Sequence, residues 1–300
     1  MRFTLSQLEA FYWVAKQGTV RDAALRLNLS QPSVSLRIRE LEAALATALF
    51  ERSRKGMRLT DDGTELMERA LLMLGEAEHI RNLAKSQEPV RGTLRIGMPE
   101  VFAVRCLPAL LANLSAAHPY LRVEIHIATS AELVEDVQER RIDVGFITDP
   151  VKAHHFYKVP LGYLERRWVC GLKANVKLPL RAEEIRQMPI LTIPPRGSSE
   201  TSTTRWFRSG GAEPTRLIPC NSVYVIVQLI KRGIGIGILP LPLIAGENSD
   251  GQLRILEAHT PVESSMMYAA HRLEAASANI TALIRMTKQT IGEIRFLTPL

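Results

Sequence analysis

The chain has 300 residues, 46% of them hydrophobic and 23% charged, and a net charge of +7. These figures fit a soluble globular protein of two domains or more with an anionic partner. No apolar run nears the roughly 20 residues that cross a bilayer, the opening MRFTLSQLEAFYW lacks a signal-peptide core, and Cys106, Cys170 and Cys220 are too scattered for a disulfide framework, so a cytoplasmic chain without membrane contact is expected.

The charge is unevenly placed. Residues 1–60 hold ten basic and five acidic residues, and residues 61–88 hold three and seven. A basic head therefore precedes an acidic segment and a larger, mildly basic body. Thr4 and Gln7 have capping-box spacing before the helical run Leu8, Phe11, Tyr12 and Ala15, which Gly18 ends. Thr19 and Asp22 open a second helix carrying Ala23, Ala24 and Leu27. After a turn at Asn28 and Leu29, Ser30 caps a third helix that tolerates Pro32 in its first turn. Two short helices joined this way read as a helix-turn-helix.

In the third helix Val34, Ile38, Leu41 and Leu45 form one buried stripe. Pro32, Ser35, Leu36 and Arg39 point away from it, with Arg37 and Glu40 on the flanks. Hydroxyls and a guanidinium can bond base edges or phosphates, and an exposed leucine can meet a thymine methyl. Next, in ALFERSRKGMRLTDDG, the residues Arg52, Arg54, Lys55 and Arg58 cluster around Gly56 as a basic hairpin wing suited to the phosphate backbone. A plain three-helix core with a solvated charge run accounts for each piece singly. Their combination points to double-stranded DNA.

Residues 5–63 resemble the winged helix-turn-helix of the LysR-type transcriptional regulators. The likeness rests on LSQLEAFYWVAKQGTVRDAALRLNLSQPSVSLRIRELEAALATALFERS and the RLTDDG that follows. It implies that Ser30, Gln31, Pro32, Ser33 and Ser35 lie at the groove and that Arg52 belongs to the wing. Two positions depart from the family: Leu36, where a basic or small residue is common, and Ala46, where glycine is usual.

From Asp61 to about Glu88 a single helical pattern places Leu66, Ala70, Met73, Ala77, Ile80 and Ala84 at alternating steps of four and three, a heptad seam. It reads as a dimerising linker helix, the alternative being a helix laid against its own domain. The family uses this element for dimerisation, which implies a homo-oligomer, dimer or tetramer, on a two-fold-related site. Pro89 and Gly92 end the segment.

The body alternates strand and helix: TLRIGM, a helix with Leu107, Leu110, Leu111 and Leu114, RVEIHIAT, a helix over 131–140, then IDVGFIT. That order implies parallel pairing. YLERRWVCGL is expected to cross into a second lobe and SSMMYAA to cross back, with a closing helix over 277–294. The fold expected is α/β: a winged helix-turn-helix over 1–60, a linker helix and hinge over 61–91, and an effector domain over 92–300. Its lobe I covers about 92–163 and 268–300, and its lobe II about 164–267. The body resembles a periplasmic-binding-protein-like effector domain, most closely at TLRIG, RRIDVGF and VQLIKRGIGIGILP.

Ligands of open α/β sheets sit beyond the C-terminal strand ends. Those ends name Pro99, Glu100 and Val101, then Thr129 and Ser130, then Thr148 in lobe I. Lobe II offers Arg196, Gly197, Ser198, Ser199, Asn221 and Ser222. The resemblance implies an effector in the cleft between the lobes, an organic acid or an aromatic metabolite, and RNA polymerase as a partner if the chain activates. The hydroxyl residues also suit plain helix caps. Glu100 would repel an anion unless paired with Arg196 or another cation, or it selects an amino or hydroxyl group. GIGIG at 233–237 follows a helix and enters a strand, so it is no dinucleotide fingerprint. Cys220, beside the cleft, has no evident resolving partner. No nucleophile–base set, metal spacing or P-loop emerges, so no enzyme and no cofactor are expected.

Overall fold

In the computed structural model, residues 3–53, 56–83, 89–148, 156–194, 201–248 and 251–300 are described. The head holds α1 (Leu5–Gln17), α2 (Val20–Leu27) and α3 (Gln31–Leu45). Each begins where the sequence places a hydroxyl cap: Thr4 accepts from Gln7 N, Thr19 from Asp22 N and Ser30 from Ser33 N. Gly18 ends α1 at φ 75°. Ala46 ends α3 at φ 55°, a left-handed conformation that costs a non-glycine residue about 1 kcal/mol. Of the stripe read from the spacing, Val34, Ile38 and Leu41 are buried with Leu8 and Phe11 of α1, and Leu45 packs half-buried against them.

Strands β1 (Phe50–Ser53) and β2 (Gly56–Leu59) pair antiparallel, Phe50 opposite Leu59 and Ser53 opposite Gly56. The wing is pinned beside its turn, at the start of β2. Met57 N donates to Gly18 O at 2.9 Å, and a Cβ on Gly56 would lie 2.5 Å from that same carbonyl. Glycine is required there by both contact and its φ of 123°.

Helix α4 (Asp61–Leu83) follows. It lies against α1 and β2 of the head on one side. It also meets strand β6 (Tyr157–Leu164), a 3-10 turn at Leu273–Ala275 and the closing helix α12 (Ala278–Ile294) of the body. Its buried face is Gly63, Met67, Ala70, Leu71, Leu74, Gly75 and Asn82. The heptad seam is therefore divided. Ala70 is fully buried within its own chain and Leu66 packs against the head core, whereas Met73 and Ile80 stay exposed. Ala77 is half-buried, and Ala84 lies outside the described residues. The 3.5-residue period marks an apolar stripe but not which neighbour covers it.

Gly75 sets the closest approach. A Cβ there would come within 2.0 Å of the Tyr157 ring, and Tyr157 Oη donates to Glu76 at 2.6 Å. In an isolated helix Gly→Ala gains about 1 kcal/mol. In this chain Gly75→Ala should instead lose about 1–3 kcal/mol by overpacking. Urea unfolding of Gly75→Ala, Tyr157→Ala and the pair checks this, with a strongly sub-additive double variant expected.

The body has two five-stranded sheets. Lobe I is built from β3 (Arg91–Met98), α5 (Glu100–Arg105), α6 (Leu107–Ala117), β4 (Tyr120–Ile127), α7 (Ser130–Gln138), β5 (Val144–Thr148), β6, β12 (Ser265–His271) and α12, in strand order β4-β3-β5-β12-β6. Strand β3 runs parallel to β4 and β5, and β12 runs antiparallel to β5 and β6. Lobe II is built from β7 (Arg166–Gly171), α8 (Ala182–Ile185), β8 (Ile190–Thr192), α9 (Ser202–Ser209), β9 (Leu217–Pro219), α10 (Val223–Lys231), β10 (Ile236–Pro240), α11 (Leu241–Glu247) and β11 (Leu253–Leu256), in strand order β11-β7-β10-β8-β9. The chain crosses between sheets from β6 to β7 and again from β11 to β12. The predicted single helix around Leu107 is two, α5 and α6, broken at Cys106. Pro108 in the first turn of α6 is the signal for that break.

Candidate nucleic-acid interface and ligand cleft

The first turn of α3 is presented outward. Ser30, Gln31, Pro32 and Ser33 are exposed, as are Leu36 and Arg39, while Ser35 and Arg37 are half-buried. Ser30 and Ser33 hydroxyls lie 2.7 Å apart, and Ser33 N donates to Ser30 Oγ. This links two hydroxyls in one patch at the positive end of the helix, where phosphate is favoured. Leu36 is 49% exposed, too much for a core position. Behind this face Gln7 Nε2 donates to Glu40 at 2.8 Å, and Glu42 accepts from Leu49 N at 2.8 Å. The first contact ties α1 to α3 and the second turns the chain from α3 into the wing. Neither is visible in the residue spacing. Arg58 is exposed on β2, opposite Glu51. Arg52 is in β1, and Arg54 and Lys55 lie outside the described residues.

The head also touches the body. Lys16 Nζ lies 2.8 Å from the Glu274 carboxylate, and Arg140 and Arg272 stand within 3.7 and 3.8 Å of it. Burial alone would raise the Glu274 pKa. The Lys16 hydrogen bond and the surrounding cations reverse that and hold it below the usual carboxylate value. Sequence spacing carried no sign of this joint, whose partners are 258 residues apart.

In lobe I the topology sets the carboxyl ends of β4, β3 and β5 side by side. Thr129 caps α7 in a box with Glu132, accepting from Glu132 N while Thr129 N donates to Glu132 Oε2 at 2.8 Å. That is a capping role. Ser130 Oγ accepts from Thr148 N at 3.0 Å and lies 3.2 Å from Thr148 Oγ1, so these two hydroxyls form a joined polar pair at adjacent strand ends. Pro99 precedes α5, and Val101 is buried in the core rather than open to a ligand.

In lobe II Ser222 caps α10, and Asn221 beside it is exposed. Glu100 meets this cap from the other lobe. It accepts from Ser222 Oγ at 2.8 Å and from Val223 N at 2.6 Å, with Tyr224 N at 3.5 Å. Arg196, Gly197, Ser198 and Ser199 lie outside the described residues. Arg166, at the crossing into lobe II, sits opposite Pro240 at the carboxyl end of β10 and donates to Ser265 Oγ. Burial, and after it the nearby Arg205 charge, lower its pKa to about 10. It is a desolvated cation whose side-chain partner among the described residues is a neutral hydroxyl, and the sequence pattern did not single it out. A small cavity of about 90 Å³ between α9 and residues 260–263 contains none of the expected cleft residues. Cys220 Sγ is 3.5 Å from Ser222 O, and Cys106 and Cys170 are buried. Among the described residues no group of three His, Cys, Asp or Glu could hold a metal, and no helix is long and apolar enough to cross a membrane.

Comparison with known proteins covers both halves of the chain. Residues 5–64 match the family model described as bacterial regulatory helix-turn-helix protein, lysR family, and residues 87–292 match the LysR substrate binding domain. The HTH-type transcriptional regulator CfxR of Cupriavidus necator is 29% identical, over 96% of this chain and 93% of its own length. The regulator CzcR of Bacillus cereus is 28% identical, over 79% of this chain and 80% of its own. Among solved structures, the oxidized form of Corynebacterium glutamicum OxyR superposes with a TM-score of 0.59 at 22% identity, covering 98% of this chain and 93% of its own. Full-length BenM does so with a TM-score of 0.58 at 23% identity, covering 99% of each. These two likenesses concern the fold.

Proposed function

The chain belongs to the LysR family of transcriptional regulators, and from that premise we propose that it binds an imperfect palindrome as a homodimer or homotetramer and answers to a small effector held between its two rear lobes. The observation that carries the DNA reading is the exposed outer face of the N-terminal half of α3, with Ser30, Ser33, Leu36 and Arg39 outward over a fully buried Val34 and Leu41. Only that end of the helix is free to reach base edges. The working units are the head over 1–60, the linker over 61–91 and the effector domain over 92–300.

Exposed apolar surface supports association. Met73, Ile80 and Leu83 lie uncovered along α4, as do Ile125 and Ile127 on the edge strand β4. An open strand edge with apolar residues is a pairing surface. Arg166 supports an organic acid over a neutral aromatic effector, since a partly desolvated guanidinium gains most from a carboxylate. The protein would act in the cytoplasm, and it would meet RNA polymerase if it activates.

Leu36 is the residue expected to set this chain's base preference apart. Selection from randomised duplexes with the wild-type and Leu36→Arg proteins tests the reading. At one position in each half-site the preferred base should change, with discrimination of about 1–3 kcal/mol against the former base. Affinity for unselected DNA should change far less. An unaltered selection profile would remove Leu36 from the groove.

A further inference from the structure

We propose that Glu100 is a latch between the two lobes of the effector domain, holding them together in the ligand-free protein, and that an effector carboxylate regulates the protein by taking its place. The proposal rests on the reading of this cleft as the effector site. Glu100 opens α5 in lobe I, and its partners lie 122 and 123 residues further on, at the start of α10 in lobe II. Among the described residues every donor to its carboxylate belongs to lobe II. Ser222 Oγ is committed on both sides, since it accepts from Val225 N at 3.2 Å as a helix cap and donates to Glu100. Its proton is thereby aimed at the carboxylate. The first N–H groups of a helix have no intrahelical acceptor, and Glu100 supplies one, with its charge at the favourable end of the helix dipole. Parting the lobes would leave both the carboxylate and those N–H groups without these partners.

The surroundings make the contact a seam rather than a stray surface bond. Val101 and Phe102 of α5 share one apolar cluster with Ile226 and Val227 of α10 and Leu243 of α11. Arg105 lies so close to α11 that a Cβ on Gly246 would meet its guanidinium at 2.3 Å. Glu100 is the charged acceptor at the end of this seam. An effector carboxylate would find the same donors already occupied, so binding and unlatching are one competition.

Full-length wild-type, Glu100→Ala and Glu100→Gln proteins, heated in sodium chloride or in sodium acetate of equal ionic strength, test this. Glu100→Ala should melt about 4–8 °C lower. Acetate at about 100 mM should restore part of that loss, roughly 2 °C, by filling the vacated place. Wild type and Glu100→Gln should not respond to acetate beyond chloride, because a side chain still fills it. An unchanged melting temperature in Glu100→Ala, or an equal acetate response in all three proteins, overturns the latch. Footprints on a selected operator separate the two readings. A footprint that changes in Glu100→Ala without effector supports both. Acetate rescue with an unchanged footprint keeps the structural latch but overturns regulation through this cleft.

Discussion

Trp168→Ala should destabilise lobe II by about 3–5 kcal/mol, while Trp168→Phe should cost far less. Trp168 is fully buried. It meets Trp206 edge-on with centroids 4.9 Å apart and Phe207 at 6.0 Å. Truncation leaves a cavity beneath two further aromatics, which cannot collapse without giving up their own contacts. The two indoles differ in one respect. Trp206 Nε1 donates to Thr260 O at 2.7 Å, whereas Trp168 Nε1 is buried without a hydrogen-bond partner among the described residues. Phenylalanine at 168 therefore keeps most of the ring contact and removes an unsatisfied donor, which offsets part of the lost volume. The head core shares no residue with this cluster. Operator affinity of Trp168→Ala should thus stay near that of wild type at low temperature while the lobe II transition moves. Denaturant unfolding followed by tryptophan fluorescence, beside gel-shift titration, reads both. Equal losses in the two variants would show that ring volume is not what Trp168 contributes.

The parts of this fold legible in the sequence are those fixed over a few residues. Thr4, Thr19, Ser30 and Ser277 each cap a helix through a backbone N–H three residues on, and a hydroxyl before an apolar period announces that locally. The stripe of Val34, Ile38 and Leu41 follows from the 3.6-residue period alone, and it fixes which residues of α3 face out. Strand and helix alternation likewise foretold two sheets and a chain that crosses twice. What stayed hidden depends on partners far along the chain. Ala70 and Met73 look equivalent in a heptad, yet one is buried against the same chain and the other is open. Ala70 is covered by the head core, beside Phe11 and Leu71, and further along the same helix Tyr157 needs Gly75 bare beneath its ring. For Glu100 the residue type suggests a cation or an amino or hydroxyl group as partner; it meets the Ser222 hydroxyl together with a helix N-terminus of the other lobe, which no local pattern announces. Arg166 gave no pattern at all, because a single arginine at a strand start becomes notable only once the fold half-buries it beside a hydroxyl.

Between pH 6.5 and 4 the protein should lose about 3 kcal/mol of stability to one side chain, His271. The ring is 3% exposed and stacks edge-on against Tyr157 at 5.4 Å, with Nδ1 2.8 Å from Arg272 O. Burial comes first among the causes that lower its pKa to about 4. The Arg272 carbonyl opposes this, and the charges of His79 and Arg272 add to it. In the unfolded chain the same imidazole titrates near 6.5. Between the two values the unfolded state holds a proton that the folded state does not, so stability rises with pH across that window. Above 6.5 both states are neutral and below 4 both are charged, so the slope vanishes at each end. His118, also buried and shifted down, adds to the same slope, and the effect of His271 is read by difference. His271→Gln should flatten the pH dependence of urea unfolding between 6.5 and 4 by about one proton, whatever its cost at pH 7. An unchanged slope would show that His271 is not buried neutral. The site is placed to matter. Tyr157 stands between His271 and the Glu76 carboxylate of α4, and Glu274 a few residues on holds Lys16 of the head. Protonating this imidazole therefore strains the joint between the DNA-binding head, its linker helix and lobe I before it reaches either lobe II or the recognition helix.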